Sequence, residues 1–521
     1  MQTEQMDRTA LSSAALEYIE HLEKEIRVLK ELEKENEMLK ERLNLLLYQR
    51  YVRSAERVLN AEGQQLLFTE QDQETSEREA ISPEDENQEI KSYTRKKPGR
   101  KPIDPSLPRK EEIIDIPESE KTCACGEQMT KIGEETSEKI EIIPPSMYVL
   151  RTIRPKYACR CCEVTGDESN PTVKIASAPP VIIPRSIASA SLLSYVMIQK
   201  YQDHLPFYRQ EVQFSRIGIE ISRQDMSNWQ QQVYTKLLPL YSLLKDTIKS
   251  GSVMQMDETT VQVMGEEGRE DTQKSYMWLV RGGPPGKTVV LYEYRETRAS
   301  HHAKKFLEGY RGYVQTDGYE GYDSALRGNS DIIHVGCFAH ARRKFYEASK
   351  ASKNPQSALE GIKYIRKLYE LEVRLRKEYQ DENDFLAQRK KEAEPILEMF
   401  KAWLDKRIVE VPPSVLLGKA ISYTINQWDK LVMYLESPYL TPDNNACENA
   451  IRPFVLGRKN WLFNKSPKGA ESSCGMFSLI ETAKQNGIEP LIYLRVLFQR
   501  CPLANSIEDW EKLLPWNIFT A

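Results

Sequence analysis

The chain has 521 residues, of which 40% are hydrophobic and 29% charged, and a formal net charge of −4. That length exceeds one hydrophobic core and predicts three or more domains. No run approaches the ~20 apolar residues of a membrane span, and the acidic amino terminus lacks the basic start and apolar middle of a signal peptide, so a soluble, cytoplasmic protein without a membrane partner is expected.

The charge is unevenly spread. Residues 1–90 hold 22 acids and 11 bases, a net of −11, which leaves +7 on the remainder. The cysteines number nine, and five of them lie between Cys123 and Cys162. An odd count clustered in this way fits metal binding in a reducing compartment better than a disulfide framework.

In residues 1–60 an apolar heptad places Leu22, Leu29, Asn36 and Leu43 at one position and Leu32, Leu39 and Leu46 at the other. A single Asn among leucines fixes register and favours a parallel dimer, so a coiled coil that joins copies of the chain is expected. The alternative is one amphipathic helix packed on its own protein. Residues 61–94 are rich in Glu, Gln, Ser and Asp and read as a solvated acidic linker. In residues 95–120 the charge reverses: Arg95, Lys96, Lys97, Arg100 and Lys101 surround Pro98, Gly99 and Pro102. Proline and glycine forbid a helix there, and an extended basic strip of this kind can lie in a narrow A·T-rich minor groove, as an AT-hook does. A basic linker with loose phosphate contact is the plainer reading.

Residues 121–175 carry two cysteine knuckles, Cys123-Ala-Cys125-Gly126 and Cys159-Arg-Cys161-Cys162. Cys123, Cys125, Cys159 and Cys162 can supply four thiolates to a structural zinc ion and so hold a domain with little core, although the first knuckle is only C-x-C. Residues 176–250 read as helical. A short helix over 208–215, a turn at Gly218 and a second helix capped by Ser222 have helix-turn-helix spacing, which can present a helix to a major groove.

From Ser252 the pattern becomes strand-like. Val253 to Thr259 reads as a strand bearing Asp257, followed by strands over 276–281 and 288–294 with Gly282-Gly283-Pro284-Pro285-Gly286 as the turn between the latter two. A helix over 300–309 leads to Tyr313-Val314-Gln315-Thr316-Asp317, another strand ending in an acid. Three hairpin-type strands, a helix and a fourth strand give the strand logic of a ribonuclease H-like α/β core, in which the strands of Asp257 and Asp317 are neighbours. The overall class expected is therefore α+β and multidomain, with core residues 251–345 and 441–490 separated by a helical insertion at 346–440 and followed by a tail at 491–521.

His334, Cys337 and His340 recur at three-residue intervals, as on one helix face, ahead of Arg342, Arg343 and Lys344. Three such groups leave a metal site incomplete, and packing or DNA contact is the better reading. Finally, Pro442, Asp443, Asn444 and Asn445 suit a helix start. Asn445, Glu448 and Arg452 then share one face, and Pro453 limits or kinks the helix. Taken alone, this is equally a capped surface helix with one Glu–Arg pair.

Met256-Asp257-Glu258-Thr259, Gln315-Thr316-Asp317-Gly318-Tyr319-Glu320-Gly321-Tyr322, Cys337-Phe338-Ala339-His340-Ala341-Arg342-Arg343-Lys344-Phe345, Asp443-Asn444-Asn445-Ala446-Cys447-Glu448-Asn449-Ala450-Ile451-Arg452-Pro453 and Ser478-Leu479-Ile480-Glu481-Thr482-Ala483-Lys484 together resemble the transposases of the insertion sequence 66 family. The resemblance covers nearly the whole chain. It implies a DNA transposase with Asp257, Asp317 and Glu448 as an Asp-Asp-Glu triad, acting on the element's terminal inverted repeats and on target DNA in a bacterial cytoplasm, with small accessory proteins of the same element as further partners. Three carboxylates can hold two Mg²⁺ or Mn²⁺ ions about 3.5–4 Å apart for an in-line phosphodiester displacement, with Asp257 bridging and Asp317 and Glu448 each on one ion. Glu258 and Asp323 are expected behind the ligands or on the surface. Arg342, Arg343, Arg452, Arg458 and Lys459 are candidate DNA contacts, Trp461 is a core residue before it is a base-stacking one, and Glu481 is structural. A ribonuclease H-like nuclease or resolvase without strand transfer, and a catalytically inactive DNA-binding regulator, are the alternatives.

Overall fold

The computed structural model describes residues 13–51, 147–158, 173–352 and 354–519. These fall into two compact units, one of Met1–Asp72 with Pro179–Ala521 and one of Gln73–Ala178. In the smaller unit β1 (Lys156–Ala158) pairs antiparallel with β2 (Val173–Ile175), and Arg154 donates to the Ala176 carbonyl at 2.9 Å. The cysteine knuckles and the basic strip 95–101 lie outside the described residues.

The larger unit starts with the 39-residue helix α1 (Ser13–Tyr51). The leucines expected of a zipper, Leu22, Leu29, Leu32, Leu39, Leu43 and Leu46, are all exposed along it. Four helices follow: α2 (Ala190–Tyr201), α3 (Phe207–Arg216), α4 (Arg223–Lys236) and α5 (Leu238–Lys249). As the sequence predicts, α3 stops at Gly218, whose φ of +77° suits glycine. Ser222 then caps α4 in a reciprocal capping box with Asp225.

The sheet comes next, with strands β3 (Val253–Val263), β4 (Lys274–Gly282), β5 (Val289–Arg295), β6 (Gly312–Gln315) and β7 (Ile332–Val335). Helix α6 (Ser300–Leu307) links β5 to β6, and α7 (Glu320–Leu326) links β6 to β7. The strand order is β5-β4-β3-β6-β7, with β3 antiparallel to β4 and parallel to β6. Gly283 has φ +107°, and a Cβ there would fall 2.4 Å from the Lys287 carbonyl oxygen, so the tight β4–β5 turn requires glycine.

Beyond β7 come α8 (Phe338–Ala351), α9 (Gln356–Glu378), α10 (Glu382–Glu410), α11 (Leu416–Asn426) and α12 (Trp428–Val432). Then follow α13 (Asn445–Trp461), a short β8 (Phe463–Asn464) parallel to the far end of β3, α14 (Pro467–Gln485), α15 (Pro490–Arg500) and α16 (Ile507–Glu511). Pro453 does not end or limit α13, which runs on to Trp461. Among the described residues no helix is long and apolar enough to cross a membrane.

Two hydrophobic cores result, and they cut across the segments that composition marks out. The first joins the helical region to both faces of the sheet and to the carboxyl-terminal helices, through residues such as Trp229, Met256, Tyr292, Phe454, Phe477 and Leu494. The second joins Val335 of β7 and Phe338 and Phe345 of α8 to Ile365, Phe400 and Ile421 of the helices after them. The tail therefore shares the core of the sheet, because Tyr493, Leu494 and Leu497 are buried in it.

β5 is an edge strand, and its unpaired groups face α14. Ser478 Oγ accepts from the Tyr292 amide at 2.9 Å, and Thr482 Oγ1 accepts from the Val290 amide and donates to the Val290 carbonyl, each at 3.1 Å. An edge covered in this way is closed to further strand pairing. Glu481, between them, is buried and paired with Lys484 at 2.9 Å, a structural placement. Ser478→Ala leaves the buried Tyr292 amide without its acceptor, and urea denaturation should register a loss of about 1–3 kcal/mol.

Candidate active site

The register of β3 and β6 brings the first two acids together. Gln255 and Gln315 are direct partners across the parallel pair, with Gln255 Nε2 donating to Gln315 Oε1 at 2.9 Å. Asp257 and Asp317 each lie two residues farther along, so side-chain alternation puts both on the glutamines' side of the sheet, one strand spacing apart. Asp257 Oδ1 accepts from the Glu258 amide at 2.8 Å, and Asp317 Oδ1 accepts from the Tyr319 amide at 3.0 Å.

Glu448 arrives on the first turn of α13, and the segment before it fixes where that turn lies. Asn444 Nδ2 donates to the Met256 carbonyl at 2.9 Å, one residue before Asp257, and the Asn444 amide donates to Cys337 Sγ at 3.2 Å. Gln315 Nε2 donates to the Thr441 carbonyl at 2.8 Å, and the Phe338 amide donates to the Pro442 carbonyl at 2.9 Å. Asn444 is the N-cap residue of α13 but its side chain makes no capping bond; Asp443 Oδ1 accepts from the Asn445 amide at 2.9 Å instead, and the Asn444 side chain reaches the strand. Burial pushes the Asp443 carboxyl up to about 6.

The acids repel one another. Asp257 is held well above the usual carboxylate range, first by burial and then by the negative charges of Glu258, Glu448 and Asp317. Glu448 Oε1 is buried without a hydrogen-bond partner. His340 Nδ1 lies 3.7 Å from Oε1 and Arg343 Nη2 lies 3.4 Å from Oε2. A buried carboxylate oxygen lacking a donor, beside a second acid whose ionisation is suppressed by burial and by its neighbours, fits a divalent cation. The donors are oxygens throughout, which suits Mg²⁺ or Mn²⁺.

Glu258 is neither a surface group nor a ligand. Its side chain is only 1% exposed, accepts from the Tyr322 hydroxyl and pairs with Arg298. Arg298 lies 3.7 Å over the Tyr319 ring, and its Nη2 is 4.0 Å from Asp317 Oδ2. Arg298 therefore joins Glu258 to Asp317, a link without a sequence signal. Asp323 pairs instead with Lys430 at 2.6 Å and His334 at 3.1 Å.

His334, Cys337 and His340 do not share a helix face. His334 is on β7, where it contacts Thr316 Oγ1 at 2.8 Å, whereas Cys337 precedes α8 and His340 lies within it. Cys337, His340 and Glu448 offer ligand atoms within 4.8 Å of one another. However, burial pushes the Cys337 thiol far up and its sulfur already accepts from Asn444, so it serves the stitch between segments. Arg458 turns inward, against the expectation of a phosphate contact: its Nη1 donates to Thr259 Oγ1 at 3.2 Å and Thr260 Oγ1 at 3.1 Å and braces α13 on β3. Lys459 is exposed, Arg343 is about half exposed, and Arg342 and Arg452 are partly buried. Trp461 packs inward at 6.3 Å from both Tyr201 and Phe477.

Residues 185–472, which hold all three acids, match the family model described as "Transposase IS66 family". The protein is thus of the class of DNA-cleaving enzymes that move insertion sequences. It belongs to the IS66 transposase family. Three further models of that family match in order: residues 38–111 ("Transposase C of IS166 homeodomain"), 120–163 ("zinc-finger binding domain of transposase IS66") and 478–516 ("IS66 C-terminal element"). Among similar proteins are three uncharacterized proteins of Sinorhizobium fredii. The protein y4jD is 33% identical over 79% of this chain and 80% of its own length, y4qI is 32% identical over 82% and 81%, and y4hP is 28% identical over 82% and 78%.

Because the folded protein keeps the Asp257 proton to higher pH than the unfolded chain does, stability falls as pH rises from the ordinary carboxylate value through the raised one. In chelator at neutral pH, Asp257→Asn should therefore raise the melting temperature, on the order of 2 °C. Mg²⁺ should raise the melting temperature of the wild type and leave the variant unmoved, as followed by differential scanning fluorimetry.

Proposed function

We propose that the protein is a divalent-metal-dependent transposase that nicks the ends of its element and joins the freed 3′-hydroxyls to target DNA, with Asp257, Asp317 and Glu448 as its metal ligands. The observation that carries this reading is the convergence, within the family-matched segment, of two acids from neighbouring parallel strands and a third from α13. The order β5-β4-β3-β6-β7 supports a ribonuclease H-like core. Asp257, which feels the charge of both other acids, would hold metal together with Asp317 and Glu448. When bound, two Mg²⁺ or Mn²⁺ ions would activate the attacking oxygen and stabilise the leaving one. Arg298 and Arg343, each beside one outer acid, are placed to orient that acid and to meet phosphate oxygens.

Recognition of the ends is assigned to several modules. In α4 the inner face, with Met226, Trp229 and Val233, is buried, and Gln230 donates to Ser472 Oγ at 2.6 Å. The outer face exposes Arg223, Gln224, Asn228 and Gln232, side chains that read base edges in a major groove. The basic strip Arg95 to Lys101 adds a minor-groove contact, and Arg342, Arg452 and Lys459 add phosphate contacts. The exposed leucines of α1 make a homodimer, and small accessory proteins of the element complete the assembly in a bacterial cytoplasm, on the nucleoid.

Purified protein incubated with labelled element ends, a target plasmid and Mg²⁺ should yield joined products. Asp317→Asn and Glu448→Gln should reduce them by about 10³-fold or more while leaving end binding intact. Nicks without joining would favour a nuclease or resolvase, and binding without cleavage in the wild type a regulator. We also assign a structural zinc to Cys123, Cys125, Cys159 and Cys162, all within the segment matched by the family's zinc-finger model. Metal analysis should find about one Zn²⁺ per chain, lost in Cys159→Ser.

A further inference from the structure

Helix α8 presents two side chains to Glu448, one to each carboxylate oxygen. His340 and Arg343 stand three residues apart on that helix and so share a face. Arg343 Nη2 lies 3.4 Å from Oε2, and His340 Nδ1 lies 3.7 Å from Oε1. The two contacts differ in kind. The guanidinium donates a hydrogen bond to Oε2, whereas Oε1 and His340 Nδ1 are both buried and both without a hydrogen-bond partner. Two orphaned polar atoms therefore face one gap.

The width of that gap selects what fits it. At 3.7 Å the atoms are too far apart for a hydrogen bond, which spans about 2.7–3.2 Å. An imidazolium paired with the carboxylate would close to about 2.7–2.9 Å. A bridging water, about 2.8 Å from each atom at a tetrahedral angle, would hold them about 4.6 Å apart. Two ligand atoms each about 2.1 Å from one cation stand about 3.0 Å apart as neighbours on an octahedron and about 4.2 Å apart as opposites. The observed separation falls inside that span.

The surroundings agree. Cys337 Sγ lies within 4.8 Å of the other two atoms, but it is already taken by the Asn444 amide. Asp317 is near enough for its charge to act on the His340 ring, so the imidazole lies within the field of the acid cluster.

We propose that His340 is a fourth metal ligand, whose Nδ1 shares one divalent ion with Glu448 Oε1 while Arg343 occupies Oε2. The proposal rests on the reading of the acids as metal ligands. A ring nitrogen added to carboxylate oxygens favours first-row transition metals over Mg²⁺, which keeps to oxygen, so this position should take Mn²⁺ in preference to Mg²⁺.

The test titrates full-length, zinc-loaded protein with Mn²⁺, without DNA, and follows the bound ion by pulsed electron paramagnetic resonance. The echo should carry the nitrogen modulation of a coordinated imidazole, and the modulation should change in protein grown on heavy-nitrogen histidine. His340→Gln should abolish it and weaken Mn²⁺ binding by about 10-fold or more, while Mg²⁺, measured by competition, weakens by less than about 3-fold. Without added Mn²⁺ or Mg²⁺ the variant should melt within about 2 °C of the wild type, because Nδ1 makes no hydrogen bond to lose. His334 is the other histidine on which the Asp317 charge acts. His334→Asn should keep the modulation, which decides the assignment even if His340→Gln fails to fold. Mn²⁺ that binds the wild type and is lost in Glu448→Gln, but shows no nitrogen modulation, overturns the His340 ligand alone. Modulation that survives His340→Gln or disappears in His334→Asn does the same. Mn²⁺ binding that neither Glu448→Gln nor Asp257→Asn weakens overturns the reading of the acids, and the fourth ligand with it.

Discussion

The hydrogen bond from Asn444 Nδ2 to the Met256 carbonyl is the constraint on which the acid cluster depends. It ties the start of α13 to β3 one residue before Asp257. Its companions, Gln315 to the Thr441 carbonyl and the Asn444 amide to Cys337 Sγ, tie the same segment to β6 and to the turn before α8. Buried polar groups are costly unless satisfied, so each of these bonds selects one position of Thr441–Asn445 over its neighbours. Glu448 follows on the next turn of helix and has no independent choice of place.

That placement sets up an opposing force. Burial suppresses the ionisation of Asp257 and the nearby charges of Glu258, Glu448 and Asp317 add to it, while nothing in the hydrogen-bond pattern relieves Glu448 Oε1. The protein answers part of the repulsion with its own cations. Arg298 is held between Glu258 and Asp317, and Arg343 approaches Glu448. The inner acid, Asp257, has no such partner among these contacts. A folded frame that forces acids together and leaves the central one uncompensated stores a demand for external positive charge.

The frame is stiff because two cores meet at the site. The sheet, the helices before it and the carboxyl-terminal helices bury one core, and α8 with the helices after it bury the other. Tyr423 of α11 reaches Gly318, where a Cβ would fall 2.6 Å from its hydroxyl, so the helical insertion presses on the residue next to Asp317. The insertion is therefore a wall of the site as well as an interruption of the chain. On the other flank α14 covers the edge strand β5 through Ser478 and Thr482, and Arg458 braces α13 against Thr259 and Thr260.

Much of this was legible in the amino-acid sequence. Alternation marked β3, β4, β5 and β6, the Gly-Gly-Pro-Pro-Gly turn marked a hairpin, and Gly218 with Ser222 marked the break between α3 and α4, because these signals are local and each residue's backbone preference expresses them directly. The sequence also singled out Asp257, Asp317 and Glu448. What it did not determine was everything that depends on which surfaces meet. The short β7, the continuation of α13 through Pro453, the inward turn of Arg458 and the burial of Glu258 beneath Arg298 are settled by packing and by hydrogen bonds between residues up to about two hundred positions apart. Local propensity carries no information about such partners. Residue pattern placed Asp257 and Asp317 on neighbouring strands and the family resemblance added Glu448, whereas only tertiary structure brought the acids together and decided which neighbouring charges they face.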